Sequence, residues 1–305
     1  MSRTSHRSPA RTTLSGPADA TAHSTLIGTE ALARRIDDRD AGLVVVDVRH
    51  MLADPEHWGE AEYAKGHLPG AVFAHVDREL SAAKNGRNGR HPLPTPEAAA
   101  DTFGRLGIGP SSQVVAYDQD NGMYAARLWW MLRWLGHDAV AVLDGGYAQW
   151  TREGRPVETA AARRAHARFT PHAVLPTVSA TGVAASLPRH ALLLLDARGA
   201  ERYRGDVEPL DAVAGHIPGA INRPYTRNVG ADGRFRAAHD LREEFEGMLH
   251  GRSADDLVHY CGSGISACHN VLAMAVAGYP LTRLYPGSWS EWSSNPKRPV
   301  AKGQV

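Results

Sequence analysis

Short apolar runs, each closed by a polar turn, recur along the chain and divide it into two matching halves. Leu43-Val44-Val45-Val46 leads into Asp47-Val48-Arg49, and Leu192-Leu193-Leu194-Leu195 leads into Asp196-Ala197-Arg198. A run that is apolar at every position predicts a strand buried on both faces, as in parallel sheet. Each run is followed by Gly-His-x-Pro-Gly-Ala, at Gly66 to Ala71 and at Gly215 to Ala220, with the histidine twenty residues after the aspartate in both copies. Shared words at a shared spacing mark a duplicated unit. Val114-Val115-Ala116-Tyr117-Asp118 then pairs with Leu257-Val258-His259-Tyr260-Cys261. Leu143-Asp144-Gly145-Gly146-Tyr147 with Trp150 pairs with Leu284-Tyr285-Pro286-Gly287-Ser288-Trp289 with Trp292.

Strands alternating with helix-like stretches predict an α/β fold with a mainly parallel sheet in each copy. The copies span 25–152 and 182–299. Residues 153–181, rich in Pro, Ala and Arg without sustained periodicity, form the linker, and 300–305 a short tail. Residues 1–24 carry Ser, Thr, Arg and His with Asp19 as their only acid, and lack the apolar core of a secretory signal. They read as a disordered tail, with mitochondrial targeting as the alternative to a cytoplasmic protein.

Length permits two domains, and 43% hydrophobic with 22% charged residues is ordinary for a globular chain. A net charge of +1 provides no global field for nucleic acid or an anionic membrane. No apolar run reaches the roughly 18 residues that cross a bilayer. The two cysteines, Cys261 and Cys268, do not make a disulfide scaffold and fit a reducing compartment.

The copies differ where chemistry would sit: the turn after the third matched strand holds Asp118 in one and Cys261 in the other. Cys261-Gly262-Ser263-Gly264-Ile265-Ser266 lies between a strand and a helix expected over 266–277. In an open α/β sheet this is the ligand-binding end of a strand. Gly262 and Gly264 let the loop curl so that amide N–H groups face inward as an anion nest, and the helix N-terminus adds partial positive charge. Such a ring of amides would favour an anionic sulfur without a neighbouring cation. Cys268, inside the helix, reads as core. A zinc site from His259, Cys261, Cys268 and His269 lacks the usual paired cysteine spacing, so neither metal nor organic cofactor is expected.

These motifs resemble the rhodanese superfamily in its tandem-domain form, from about Leu26 to Pro299. The loop is similar to that of 3-mercaptopyruvate sulfurtransferases; thiosulfate-using relatives place basic residues where Gly262 and Ser263 stand here. The resemblance implies an inactive first domain and a catalytic second one, with the site at their interface. It implies a Cys261 persulfide formed from a small sulfur donor and passed to a thiol, a thioredoxin or cyanide. It also implies a proton relay of Ser263, Asp77 and His91, the last two separated by an apparent insertion at Lys84 to Arg90. Arg202 matches a substrate arginine of the family, and Gly262, Gly264, Ile265 and Ser266 would line the donor. The family's second arginine is missing from Glu208-Pro209-Leu210-Asp211, and Arg204 is the expected substitute. His67 and His216, present in both copies, are expected to be structural turn residues. Two rivals are thiosulfate as donor and a non-catalytic persulfide sensor or scaffold. A cysteine phosphatase requires Cys-x5-Arg, and Ala267 stands at the arginine position.

Overall fold

The computed structural model describes residues 22–172 and 174–303; residues 1–21 of the expected tail lie outside them. Both sheets are parallel at every paired strand. The first contains β1 (Leu26–Ile27), β2 (Leu43–Asp47), β3 (Val72–Phe73), β4 (Gln113–Tyr117) and β5 (Val140–Leu143), in the order β1-β5-β4-β2-β3. Its helices are α1 (Thr29–Asp37), α2 (Trp58–Lys65), α3 (Pro96–Arg105), α4 (Ala125–Trp134) and α5 (Gly146–Arg152). The second copy runs α6 (Ala180–Ser186), β6 (Leu193–Asp196), α7 (Ala200–Arg204), β7 (Ile221–Asn222), α8 (Ala238–Leu249), β8 (Leu257–Tyr260), α9 (Ser266–Val276), β9 (Arg283–Leu284) and α10 (Ser288–Ser293). Its sheet order, β7-β6-β8-β9, repeats the first without a counterpart of β1. A single bond from Val178 N–H to Leu284 O marks that edge.

The expected α/β frame is therefore present twice, and the repeated words explain it. Asp47 holds Arg49 in a buried ion pair, and Arg49 donates to Gly66 O at 2.7 Å; Asp196, Arg198 and Gly215 O repeat this, also at 2.7 Å. The arginine thus ties each strand end to its Gly-His turn. His67 and His216 bond through Nδ1 to Tyr63 O and Tyr203 O and stack on those rings, 3.9 and 3.8 Å between centroids. Both occupy structural positions remote from the cysteine.

Each turn is also closed by a later segment. His67 pairs with Glu158 and His216 with Ala301, while Trp150 and Trp292 donate to Pro156 O and Pro299 O. Ala301, within the stretch expected as a tail, is thus bound to the second copy. The linker follows the surface of the first copy, with Ala167 N–H on Gly104 O and Phe169 against Phe103.

α4 and α9 occupy matching positions and pack on one another, which joins the copies through one apolar core. Both helices are apolar nearly all round, the signature of a helix covered on every side. Trp129, Met131 and Leu132 of α4 are fully buried, as are Ala267, Val271 and Leu272 of α9. Among the described residues no helix is long and apolar enough to cross a membrane.

Candidate active site

Cys261 follows β8 directly and is 1% exposed. Its N–H donates to Ser288 Oγ, and its carbonyl accepts from Trp289 N–H, so α10 clamps the loop from behind. Gly264 adopts φ +83°, and a Cβ there would lie 2.3 Å from Pro286 O. This glycine alone gives the turn room to close. The turn brings Gly264 N–H to 3.1 Å from Cys261 Sγ.

The first copy shows what such a turn holds. Asp118, at the cysteine position, is fully buried and accepts N–H groups from Gly122, Tyr124 and Ala125 at 2.9, 2.7 and 3.3 Å. Burial nevertheless pushes its carboxyl up to about 6. Around Cys261 the nest is thinner than expected: Gly264 alone, among the described residues, donates an amide to the sulfur.

The expectation of no neighbouring cation is corrected by Arg127. This residue of α4 is 0% exposed and donates to Gly264 O at 3.3 Å, to Leu80 O at 3.3 Å and to His91 O at 3.4 Å. Among the described residues no carboxylate pairs with it. Burial pulls its guanidinium below the ordinary value, opposed by the nearby sulfurs of Cys268 and Cys261. Arg127 thus lends positive charge to the loop from the other copy. Its sequence signal is slight: an arginine in the first turn of a mostly apolar helix that carries a second arginine, Arg133, at its end.

Ser263, His91 and Asp77, the residues expected to form a relay, meet across the boundary between the copies. His91 Nδ1 and Ser263 Oγ share a 2.7 Å hydrogen bond, and His91 Nε2 lies 3.4 Å from Asp77 Oδ1. Burial outweighs the attraction of Asp77 and lowers the His91 imidazole to about 3, leaving it neutral near pH 7. Burial acts to raise Asp77, but the Lys84 hydrogen bond together with His91, Lys84 and His50 brings its carboxyl below the usual range.

A cavity of about 220 Å³ opens between the copies over Cys261. It is smaller than the ~300–1,000 Å³ of drug-sized sites and suits a donor of a few heavy atoms. Gly262, Ser263, Ile265, Ser266 and Arg202 line it with the cysteine; Gly264 supports the turn from behind. Arg204 is not part of this lining: it pairs with Asp206 and borders a different hollow. Two further arginines line the cavity: Arg198, held by Asp196, and Arg90, from the end of the apparent insertion. Arg90 pairs with Asp211, and Arg202 with Glu208 at 2.6 Å and Asp211 at 3.4 Å. Nothing in the local sequence pattern tied Arg90 to the cysteine, because the two are far apart in the chain.

Cys268 donates to Gly264 O, and burial pushes its thiol up to about 12, as suits a core position. His259 bonds to Thr282, and His269 to Asn228 and to Asn121 O, each away from Cys261.

A strand-end cysteine in a duplicated α/β frame, with a loop serine bonded to a His–Asp pair from the other copy, defines a cysteine-dependent group-transfer protein. The model of the rhodanese-like domain matches residues 29–153 and 179–295. A probable 3-mercaptopyruvate sulfurtransferase of Pseudomonas aeruginosa is 46% identical over 282 residues, covering 91% of this chain and 98% of that protein. A putative thiosulfate sulfurtransferase of Mycobacterium tuberculosis is 42% identical over 285 residues, covering 91% and 97%. The crystal structure of the Escherichia coli 3-mercaptopyruvate sulfurtransferase superposes with a TM-score of 0.75 at 34% identity, covering 88% of this chain and 99% of that one. The chain belongs to the rhodanese-like family and is a two-copy sulfurtransferase.

Proposed function

We propose that this enzyme takes sulfur from 3-mercaptopyruvate onto Cys261 and passes it to a thiol, a thioredoxin or cyanide, releasing pyruvate, in the cytoplasm. The observation that carries this reading is the Ser263–His91 bond, which joins the Cys261 loop to a relay from the other copy. The catalytic unit is 182–299 and the supporting, inactive one 25–152, joined by 153–181.

The Cys261 thiolate attacks the donor sulfur; an S–S bond forms, the C–S bond breaks and the enolate of pyruvate leaves. The donor's thiol proton passes to Ser263 and His91 as it is released, and the enolate takes a proton to become pyruvate. Splitting the transfer through a covalent intermediate replaces one difficult step by two easier ones. Arg202 and Arg90 hold the donor carboxylate, which competes with Glu208 and Asp211 for them.

Thiosulfate is the second reading, favoured by the similarity to the putative thiosulfate sulfurtransferase of Mycobacterium tuberculosis. Against it, Gly262 and Ser263 place no cation directly after the cysteine. Pyruvate release from 3-mercaptopyruvate should exceed thiocyanate formation from thiosulfate in kcat/KM. Mass spectrometry after donor exposure should find about 32 Da added at Cys261, and Cys261→Ser should abolish both. A preference for thiosulfate reverses the donor; transfer surviving in Cys261→Ser sinks the mechanism.

A further inference from the structure

Behind the relay a second set of side chains converges. His50 Nε2 lies 3.9 Å from Asp77 Oδ2, His91 Nε2 lies 3.4 Å from Asp77 Oδ1, and the three ligand atoms all fall within 4.8 Å of one another. His50 is 3% exposed, and among the described residues its Nε2 has no hydrogen-bond partner although it points into this cluster. A buried imidazole nitrogen left unpaired costs stability unless something else uses it.

We infer that His50, Asp77 and His91 form a binding site for a divalent transition metal, with Zn²⁺ the best match. Two imidazole nitrogens and one carboxylate are a borderline ligand set that suits zinc, and also cobalt or ferrous iron. Zinc bonds of about 2.0–2.1 Å place neighbouring tetrahedral ligands roughly 3.3 Å apart. The 3.4 and 3.9 Å separations run to different oxygens of Asp77, and side-chain rotation has to draw the full set, spread within 4.8 Å, in to that value. An Nε2-bound His91 carries its proton on Nδ1, and Ser263 Oγ at 2.7 Å is there to accept it, the kind of outer partner that metal-bound histidines need.

His75, though its ring is close to His50, is turned away: its Nδ1 accepts from the Asp77 and Arg78 amides. The fourth position is therefore left to water or an incoming anion. Lys84 Nζ, 2.9 Å from Asp77 Oδ1, supplies the positive charge in this structure. Its side chain is half exposed and is free to swing out as a dication enters. Lys84 and the buried Arg127 both oppose that dication, so micromolar affinity is expected. Once seated, the ion fixes one His91 tautomer and takes Asp77 from it, which arrests sulfur transfer without touching Cys261. This consequence rests on the proposed relay, so binding and not turnover decides the matter.

The test titrates chelator-treated full-length protein with Zn²⁺ against a chromophoric chelator, and with Co²⁺ by absorption. One ion should bind, with equal stoichiometry in Cys261→Ser. The cobalt spectrum should show ligand-field bands without a thiolate charge-transfer band. His50→Ala should weaken binding about tenfold or more, and Lys84→Met, a change at a half-exposed side chain, should tighten it several-fold. Circular dichroism establishes that the variants are folded. Absence of binding, loss of it in Cys261→Ser, or indifference to both His50→Ala and Lys84→Met would overturn the site.

Discussion

Arg90 enters the cavity from the first copy, and in this structure its guanidinium meets Asp211. In the proposed reading this cation from the other copy takes the place of the arginine missing from Glu208-Pro209-Leu210-Asp211. Hydrogen bonds to a charged group contribute about 1.5–3 kcal/mol. Arg90→Ala should therefore raise KM for 3-mercaptopyruvate roughly tenfold to a hundredfold, with a smaller change in kcat. An unchanged KM would return the carboxylate to Arg202 alone. Cys261, Ser263 and Arg202 were legible because they stand inside local motifs. Arg90 and Arg127 were not, since only the folded chain shows what lies opposite an isolated arginine.

At the scale of elements, the loop from β8 to α9 depends on one backbone conformation. Gly264→Ala puts a Cβ against a backbone carbonyl that has nowhere to go, at a φ that L-residues resist. Pyruvate release should fall at least about tenfold and Tm should drop. Gly154→Ala makes the control: φ is +67° there but nothing lies within 4 Å of the added Cβ. It should cost only ~1–2 kcal/mol and leave activity intact. Wild-type turnover in Gly264→Ala would show that the amide on Cys261 Sγ is dispensable. The strands and helices of both copies were readable from apolar runs and glycine stops. The closing bridges at Glu158 and Ala301 were not, because single antiparallel pairings leave no periodic trace.

At the scale of the whole molecule, three buried histidines tie stability to pH. Burial lowers His91 and His259 to about 3 and His269 to about 4, against an ordinary 6.5. The unfolded chain therefore binds more protons than the folded one below pH 6.5. The stability these neutral rings contribute is fully present above that pH and is lost as pH falls toward 3–4. Each contributes a slope of about 1.4 kcal/mol per pH unit within its window. Tm should decline steeply from pH 6.5 to 4, and less steeply in His259→Gln, which removes one titrating ring. Parallel Tm curves for the two proteins would place the acid sensitivity elsewhere. The histidines are neutral because each ring is buried, His91 and His269 at contacts with the other copy and His259 within its own.

Order along the chain was enough to set the duplicated α/β frame, the cysteine loop and the Asp118–Cys261 difference between the copies. Apolar periodicity, glycine turns and strand-end position act over a few residues, so they can be read locally. Only the tertiary structure decided which buried cation adjoins the cysteine loop, that Arg90 enters the cavity, and that His50 joins the Asp77–His91 pair. Those contacts are made across the domain interface or between segments distant in the chain, and their partners are chosen by packing rather than by spacing.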